Sequence, residues 1–207
     1  MRVMISQRVD VLPERGERRD ALDQAWGDTL GGMLCGRVSI YPMPNRPGDV
    51  DEAVSGWSPS LIVLSGGNDI GDASERDATE AAMLSRAAAD RIPVLAVCRG
   101  MQMVQHYLGG SLNRMTGHIA TGHVVKAVSA IEGPAELLVN SFHAWGISKC
   151  SLARDLEALY CHADDSSVEA AQHATLPWLC LMWHPERPGK GMTVANGWAG
   201  NWLREVL

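Results

Sequence analysis

The chain has 207 residues, a length that fits one domain spanning residues 1–207 around a single core. Hydrophobic residues make up 46% and charged residues 20%, which is typical of an ordinary globular protein. The formal net charge of −6 argues against a nucleic-acid-binding surface, because such surfaces carry basic patches. No apolar stretch reaches the length of a signal-peptide core or a membrane span, so we expect no membrane association and a cytoplasmic location.

The five cysteines show no pairing pattern along the chain. They stand at positions 35, 98, 150, 161 and 180, with no Cys-x-x-Cys pair among them. This spacing favours free thiols in a reducing compartment and argues against a zinc site.

The first half of the chain alternates apolar strands with helices. In order, the predicted elements are a strand at Arg2–Ser6, a helix at Ala21–Leu34, strands at Val38–Tyr41 and Leu61–Leu64, a helix at Ala73–Asp90, a strand at Val94–Val97 and a helix at Met101–Leu108. Two of these strands are continuous apolar runs, which are typical of parallel strands covered on both faces.

Shorter strands with partial alternation dominate the second half. The predicted elements are strands at His123–Ser129, Leu156–His162, Val168–His173 and Leu179–Trp183, and a closing helix at Thr193–Val206. Strands that alternate with helices indicate a three-layer α/β sandwich with a mostly parallel central sheet.

Cys98 lies between the apolar run Val94–Val97 and an Arg-Gly pair that leads into a helix. This arrangement predicts a thiol on a tight strand-to-helix turn, at the positive end of the helix, where it loses its proton more easily. The alternative is a buried structural cysteine, because free cysteines are among the most often buried residues.

Three loops that follow buried apolar runs are expected at the same edge of the sheet, since ligands of open α/β sheets gather at the carboxyl ends of strands. They carry Ser65–Asn68, Cys98 and His184–Glu186. A nucleophilic cysteine needs a base and a group that orients the base, and His184 with Glu186 supplies both. Gly66 and the residue after it allow a backbone N–H to approach a substrate closely, as an oxyanion donor must.

Four motifs in this order resemble the class I glutamine amidotransferase superfamily, and most closely its γ-glutamyl hydrolase-like branch. They read Leu-Ser-Gly-Gly-Asn-Asp, Ala-Val-Cys-Arg-Gly-Met-Gln, Val-Asn-Ser-Phe-His and Trp-His-Pro-Glu. The resemblance implies a flavodoxin-like fold. It also implies a catalytic triad with Cys98 as nucleophile, His184 as general base and acid, and Glu186 as the orienting carboxylate.

The same resemblance implies further site residues. Gly67 and Arg99 correspond to the oxyanion donors. Residues expected to line or contact the substrate pocket are Gly66, Asn68, Gln102, Asn140, Ser141, Phe142 and His143. Asn68 and Asp69 have a simpler alternative, in which they only form the turn that the two glycines begin.

Trp145 departs from the pattern of the family. Where the family has Asn-Ser-x-His-x-Gln, the chain has an indole in place of the last amide. A large aromatic side chain there either stacks on a planar leaving group such as a nucleobase or serves packing.

A narrower resemblance involves the N-terminal segment, which is similar to that of hydrolases of γ-glutamyl-CDP-amidate, enzymes of bacterial capsule phosphoramidate biosynthesis. A diphosphate-bearing substrate needs cations on an acidic protein, and Arg8, Arg18 and Arg19 follow the first strand closely. The alternative is that residues 17–20 form a solvated helix start with local ion pairs.

The remaining histidines show no paired ligand spacing, so we expect surface or core positions and no metal or other cofactor; they are His106, His118, His123, His162 and His173. The residues predict a cysteine nucleophile with its base, and the resemblance implies a hydrolase that cleaves a γ-glutamyl amide through a glutamyl thioester and releases glutamate. Its partner is a small γ-glutamyl substrate, nucleotide-linked if the narrower resemblance holds, and a homodimer is compatible with the sequence. The alternatives are a glutaminase subunit that supplies ammonia to a separate synthase, a non-catalytic module and a thiol peptidase.

Overall fold

The computed structural model describes residues 1–128 and 131–207. Its strands are β1 (Arg2–Ser6), β2 (Arg8–Leu12), β3 (Glu17–Ala21), β4 (Ser39–Met43), β5 (Leu61–Leu64), β6 (Val94–Val97), β7 (Asn113–Arg114), β8 (Ile119–Ala127), β9 (Glu136–Phe142), β10 (Trp145–Gly146), β11 (Leu156–His162), β12 (Val168–His173) and β13 (Trp178–Leu181). Its helices are α1 (Trp26–Met33), α2 (Val50–Trp57), α3 (Ser74–Asp90), α4 (Arg99–Tyr107) and α5 (Met192–Val206). Ser129, the last residue of a predicted strand, lies outside the described residues.

A nine-stranded sheet forms the centre, in the order β4-β1-β5-β6-β13-β12-β11-β8-β9. Neighbours from β4 to β13 are parallel, and the remaining neighbours are antiparallel, so that β12 and β8 run opposite to the rest. The predicted mostly parallel α/β sheet is therefore confirmed. Strands β5, β6 and β13 are consecutive, which brings the three loops expected to carry the chemistry to one edge.

Two helical layers cover the sheet. Helices α1 and α5 pack on one face, against side chains such as Val63, Leu95 and Leu181, while α2, α3 and α4 pack on the other, against side chains such as Ile62 and Ala96. Strands β5 and β6 are buried at every position, as their continuous apolar sequences predict. None of the described helices is long and apolar enough to cross a membrane.

The charged N-terminal segment forms a hairpin instead of a helix start. Strands β2 and β3 pair antiparallel outside the main sheet, with Asp10 opposite Arg19, so the helix-start alternative for residues 17–20 is wrong. The predicted helix at Ala21–Leu34 is correspondingly shorter, since α1 begins at Trp26. Gly16 makes the hairpin possible, because it ends the connecting turn at φ 62°, in the left-handed region that glycine enters readily.

Candidate active site

Cys98 occupies the turn between β6 and α4 in a strained backbone conformation, with φ 52° and ψ −105°. Its N–H donates to the Leu181 carbonyl at 2.7 Å, which fixes the turn to the neighbouring strand β13. The helix that follows lies very close to β5. A Cβ on Gly100 would stand 2.2 Å from the Leu64 carbonyl oxygen, so only glycine fits there. This contact holds the start of α4 at the sheet edge and presents Cys98 above it.

The Cys98 thiol is 6% exposed, and burial raises its pKa to about 12. A hydrogen bond from the Arg99 N–H opposes this shift, while the Glu186 carboxylate adds to it. The expectation of an easily ionised thiol at the helix N-terminus is therefore wrong for the resting site, because desolvation outweighs the helix end. A thiol in this state becomes a nucleophile only when a base removes its proton.

His184 and Glu186 form a buried pair on the loop after β13. The imidazole Nδ1 lies 2.7 Å from the Glu186 Oε1, and the two residues are only 2% and 8% exposed. The ring also faces the glycine loop, since a Cβ on Gly66 would stand 2.6 Å from His184 Cε1. The Phe142 ring meets the imidazole edge-on at 5.7 Å. A carboxylate at Nδ1 leaves the Nε2 of His184 to exchange a proton with a reacting group.

Asn140 fixes this loop in place. Its Oδ1 accepts from the His184 N–H at 2.8 Å, and its Nδ2 donates to the carbonyls of His184 at 2.9 Å and Arg187 at 3.1 Å. The side chain is buried, and through these three bonds it supports the loop that carries His184; its predicted contact with the substrate stays a prediction.

The glycine loop after β5 is held by a buried arginine that the sequence analysis did not identify. Arg76 of α3 donates to the carbonyls of Ser65 at 2.7 Å and Gly66 at 3.0 Å. Because the C=O of Gly66 and the N–H of Gly67 belong to one trans peptide, that N–H points away from Arg76. Gly67 adopts φ 129°, and a Cβ there would stand 2.6 Å from Arg76 Nη1 and 2.7 Å from the Cβ of Arg8. Both the conformation and the space require glycine.

A buried ion network underlies the loop and the start of α4. Glu80 accepts from Ser6 Oγ at 2.7 Å and from Arg76 Nε at 3.0 Å, and its other oxygen pairs with Arg99. Arg99 also pairs with Asp77. Two guanidinium groups thus face two carboxylates, which keeps the buried charges balanced. The Arg99 side chain is directed into this network, and only its backbone remains on the side of the thiol.

Asn68 connects the loop to the hairpin. Its Oδ1 accepts from the Val9 N–H at 2.8 Å, and its Nδ2 donates to the Val9 carbonyl at 2.8 Å. Both polar atoms of the amide thus pair with β2 and position it, and a contact of the half-buried Asn68 with a substrate stays a prediction.

Gln102 and Trp145 lie on one side of the site. Gln102 Nε2 donates to the Trp145 carbonyl at 2.8 Å, and the indole Nε1 donates to Asp69 Oδ2 at 3.1 Å. The guanidinium of Arg114 covers the indole at 5.3 Å. Gln102, Trp145 and Asp69 line one cavity together with His106. The aromatic ring is therefore a wall of a cavity, where stacking on a ligand remains a prediction.

Ser141 and His143 are buried away from that cavity. Ser141 Oγ donates to the His118 carbonyl at 2.7 Å. His143 Nδ1 lies 3.0 Å from the Trp145 carbonyl, and its Nε2 faces the buried carboxylate of Glu169 at 3.5 Å. In this geometry neither side chain reaches a substrate, although the resemblance places both in the pocket.

The three N-terminal arginines differ in their positions. Arg8 lines a small cavity with Gly66, Gly67 and Glu186, and its Nε lies 2.7 Å from Asp10. Arg18 pairs with Glu75, with its Nε at 3.0 Å, and Arg19 pairs with Glu17 at 2.7 Å. Binding of phosphate by any of the three would have to compete with its carboxylate partner, and of the three Arg8 is the one that lines the cavity at the glycine loop.

Arg187 is a second cation of the small cavity that sequence analysis did not identify. Its guanidinium carbon lies 4.6 Å from the centre of the Phe142 ring, within the range of a cation–π contact. The only sequence signal for it was its place directly after Glu186.

Comparison with known proteins identifies the family of the chain. The model of the Peptidase C26 family matches residues 68–186. A γ-glutamyl-CDP-amidate hydrolase from Campylobacter jejuni subsp. jejuni serotype O:2 is 29% identical over 193 residues, which cover 90% of each chain. A carbamoyl phosphate synthase small chain from Aquifex aeolicus is 30% identical over 74% of this chain, and the match spans only 39% of that relative.

Solved structures agree on the fold. A glutamine amidotransferase from Thermotoga maritima superimposes with a TM-score of 0.65 at 19% identity, covering 99% of this chain and 84% of that one. The resemblance inferred from the four motifs is confirmed. The chain belongs to the Peptidase C26 family, whose members are class I glutamine amidotransferase-like proteins.

Proposed function

We propose that the protein is an amide hydrolase that cleaves γ-glutamyl amides through a glutamyl thioester on Cys98. The family membership and the similarity to a γ-glutamyl-CDP-amidate hydrolase support hydrolysis of such an amide. The observation that carries the residue assignment is the buried His184–Glu186 pair, 2.7 Å apart, on the loop that follows β13, the strand next to the one that ends at the strained Cys98 turn.

The mechanism follows from the resting state of the thiol. His184 Nε2 takes the Sγ proton while Glu186 stabilises the imidazolium, and Sγ attacks the γ-carbonyl carbon. The oxyanion is bound by the N–H groups of Gly67 and Arg99. When the tetrahedral intermediate collapses, the C–N bond breaks and His184 gives the proton to the departing nitrogen. Water, deprotonated by His184, then attacks the thioester, so that glutamate leaves and the thiol is restored.

The leaving group in this proposal is a nucleoside diphosphoramidate, so that γ-glutamyl-CDP-amidate gives cytidine diphosphoramidate. Arg8 and Arg187 supply two cations beside the glycine loop of a protein whose net charge is −6. Guanidinium groups bind phosphate oxygens in paired geometry. The similarity to the Campylobacter hydrolase extends over 90% of both chains.

The test compares three substrates: glutamine, a simple γ-glutamyl anilide and γ-glutamyl-CDP-amidate. We expect kcat/KM for the nucleotide to exceed that for glutamine by about 100-fold or more, since each charge-assisted contact contributes about 1.5–3 kcal/mol. The variant Arg8→Gln is expected to remove most of this preference, and Arg15→Gln, at an exposed turn, serves as the matched control. Equal or faster hydrolysis of glutamine would favour the alternative function, a glutaminase that supplies ammonia to a synthase.

The covalent step has its own test. Rapid quenching during turnover is expected to give a glutamyl adduct on Cys98 by mass spectrometry, and Cys98→Ser is expected to lose both adduct and activity. Cys35→Ser, which removes an exposed thiol, is the control and should keep both. Absence of an adduct on Cys98 under turnover with all three substrates, or normal turnover by Cys98→Ser, contradicts the proposal.

A further inference from the structure

Four imidazoles that are scattered along the chain meet behind the candidate active site. His118 precedes β8, His123 lies within it, His162 ends β11 and His143 follows β9. The ring centroids of His118 lie 4.8–4.9 Å from those of the other three. Three of them, His118, His123 and His143, face the fully buried carboxylate of Glu169 on β12. Sequence spacing did not reveal this cluster, because its members come from four separate segments of the fold.

Several polar atoms of the cluster are buried without a hydrogen-bond partner. They are His118 Nδ1, both ring nitrogens of His123, His143 Nε2 and Glu169 Oε2. The residues that carry them are between 0% and 9% exposed. Leaving so many buried polar atoms unsatisfied in one place is costly, which indicates that something not part of the chain completes them.

The distances in the cluster fit a shared cation better than hydrogen bonds. His118 Nδ1 and His143 Nε2 each lie 3.5 Å from Glu169 Oε1, and His123 Nε2 lies 3.3 Å from Oε2. Hydrogen bonds between such groups are normally 2.7–3.2 Å long. Ligands bound to one tetrahedral zinc ion at about 2.0–2.1 Å stand about 3.3–3.4 Å apart. One ligand atom each from His118, His123 and Glu169 all lie within 4.8 Å of one another.

The surrounding hydrogen bonds set the tautomers in the way that metal ligation requires. His118 Nε2 lies 2.8 Å from Asp165 Oδ2, and His143 Nδ1 lies 3.0 Å from the Trp145 carbonyl. Both partners accept, so those two nitrogens carry hydrogen. The opposite nitrogens then point lone pairs at Glu169, and metal-binding histidines are typically held by a carboxylate or a carbonyl in this manner. His162 differs, because its Nδ1 accepts from the backbone N–H groups of residues 164 and 165 at 3.2 Å.

The charges of the cluster are compatible with a divalent cation. One such ion bound by neutral imidazoles would balance the carboxylates of Glu169 and Asp165 and would satisfy the unpartnered ring nitrogens at the same time.

We propose that His118 Nδ1, His123 Nε2 and Glu169 bind one zinc-class divalent cation, next to His143. Because His118 and His123 flank and occupy β8 while Glu169 lies on β12, the ion would connect two strands that are not neighbours in the sheet. We expect the ion to have a structural role. His143 lies beside it and contacts the Trp145 carbonyl, which also accepts a hydrogen bond from Gln102, so the ion would support this wall of the cavity.

The experiment uses tag-free, full-length protein, stripped with a chelator and reconstituted with zinc sulfate. We expect close to one zinc per chain by elemental analysis, a rise in melting temperature of about 5–10 °C at a zinc concentration 100 times the Kd, and visible absorption typical of tetrahedral cobalt when Co²⁺ replaces zinc. Zinc affinity is expected to fall at least about 100-fold in His123→Gln and about 10–100-fold in Asp165→Asn. His106→Gln, at an exposed histidine, is the matched control and should bind as the wild type does.

Zinc that is bound adventitiously at the Cys98 thiol would be lost in Cys98→Ser. Zinc that is bound at the histidine cluster should be retained in this variant. Wild-type protein that stays below about 0.1 zinc per chain after reconstitution overturns the proposal. So does an affinity unchanged in His123→Gln, or zinc lost in Cys98→Ser. The cobalt spectrum is recorded on the wild type, so the proposal remains testable if a histidine variant fails to fold.

Discussion

Replacing Gly66 by alanine tests the placement of the proposed base directly. The new Cβ would stand 2.6 Å from His184 Cε1 and 3.3 Å from Nδ1, whereas non-bonded carbon atoms rest about 3.5–4.0 Å apart. The imidazole must therefore move by about 1 Å. The backbone at Gly66 is not in the left-handed region, so the ring is the obstacle and not the conformation of the loop.

The expected cost follows from that displacement. A misplacement of about 1 Å in a catalytic group costs about 100-fold in rate, which corresponds to about 2.7 kcal/mol of transition-state stabilisation. We expect kcat for a γ-glutamyl amide to fall by this factor with a much smaller change in KM. The free energy of unfolding should fall by about 1–3 kcal/mol because of overpacking.

The assay is steady-state kinetics combined with urea unfolding. Gly56→Ala is the matched control, because a Cβ there meets nothing within 4 Å, and we expect full activity with a gain of about 0.5–1 kcal/mol from helix propensity. A folded Gly66→Ala protein with kcat within about three-fold of the wild type would refute the assignment of His184 as the base at this position.

Three other changes probe the surroundings of the site. Glu80→Gln should lower the free energy of unfolding by about 3–5 kcal/mol in urea titrations, since two buried guanidinium groups would then face one carboxylate; a loss below about 1 kcal/mol would contradict the network. Asn140→Ala should lower the free energy of unfolding by about 2–4 kcal/mol and remove most of the activity, because three hydrogen bonds to the loop that carries His184 disappear. A near-normal kcat would show that other contacts hold this loop. The rate of alkylation of Cys98 by iodoacetamide in the substrate-free protein should be slow at pH 7 and should rise with each pH unit toward the thiol pKa of about 12. The reason is that the thiolate fraction at pH 9 is only about 0.001. Mass spectrometry measures this labelling against exposed Cys35, and fast labelling that is constant between pH 6 and 8 would contradict it.

The sequence predicted the part of the site that is local in the chain. Buried apolar runs at Leu61–Leu64 and Val94–Val97 are strands with the expected bounds, and the residues that follow them meet at one sheet edge. His184 and Glu186 are two residues apart, so their pairing could also be predicted from spacing.

What sequence could not reveal depends on long-range contacts. Asn140 lies 44 residues from the histidine that it positions, and Arg76 resembles any other helical arginine until α3 packs against the glycine loop. The resting state of Cys98 was misjudged for the same reason, because desolvation depends on tertiary burial and not on the neighbouring residues. The hairpin was missed because β3, Glu-Arg-Arg-Asp-Ala, is almost entirely charged and shows no apolar pattern, and because the alternation in β2 covers only five residues.

The β2–β3 hairpin contacts the candidate site but contributes little to the core of the fold. Val9 is its only buried residue among the strand positions, and the hairpin lies outside the nine-stranded sheet, so its substitutions cost little folding energy. Yet Asn68 fixes its backbone to the glycine loop, and Arg8 reaches the small cavity. If Arg8 contacts the leaving group as proposed, substitutions in this hairpin would change which leaving group is accepted while the sheet and the Cys98 turn stay the same.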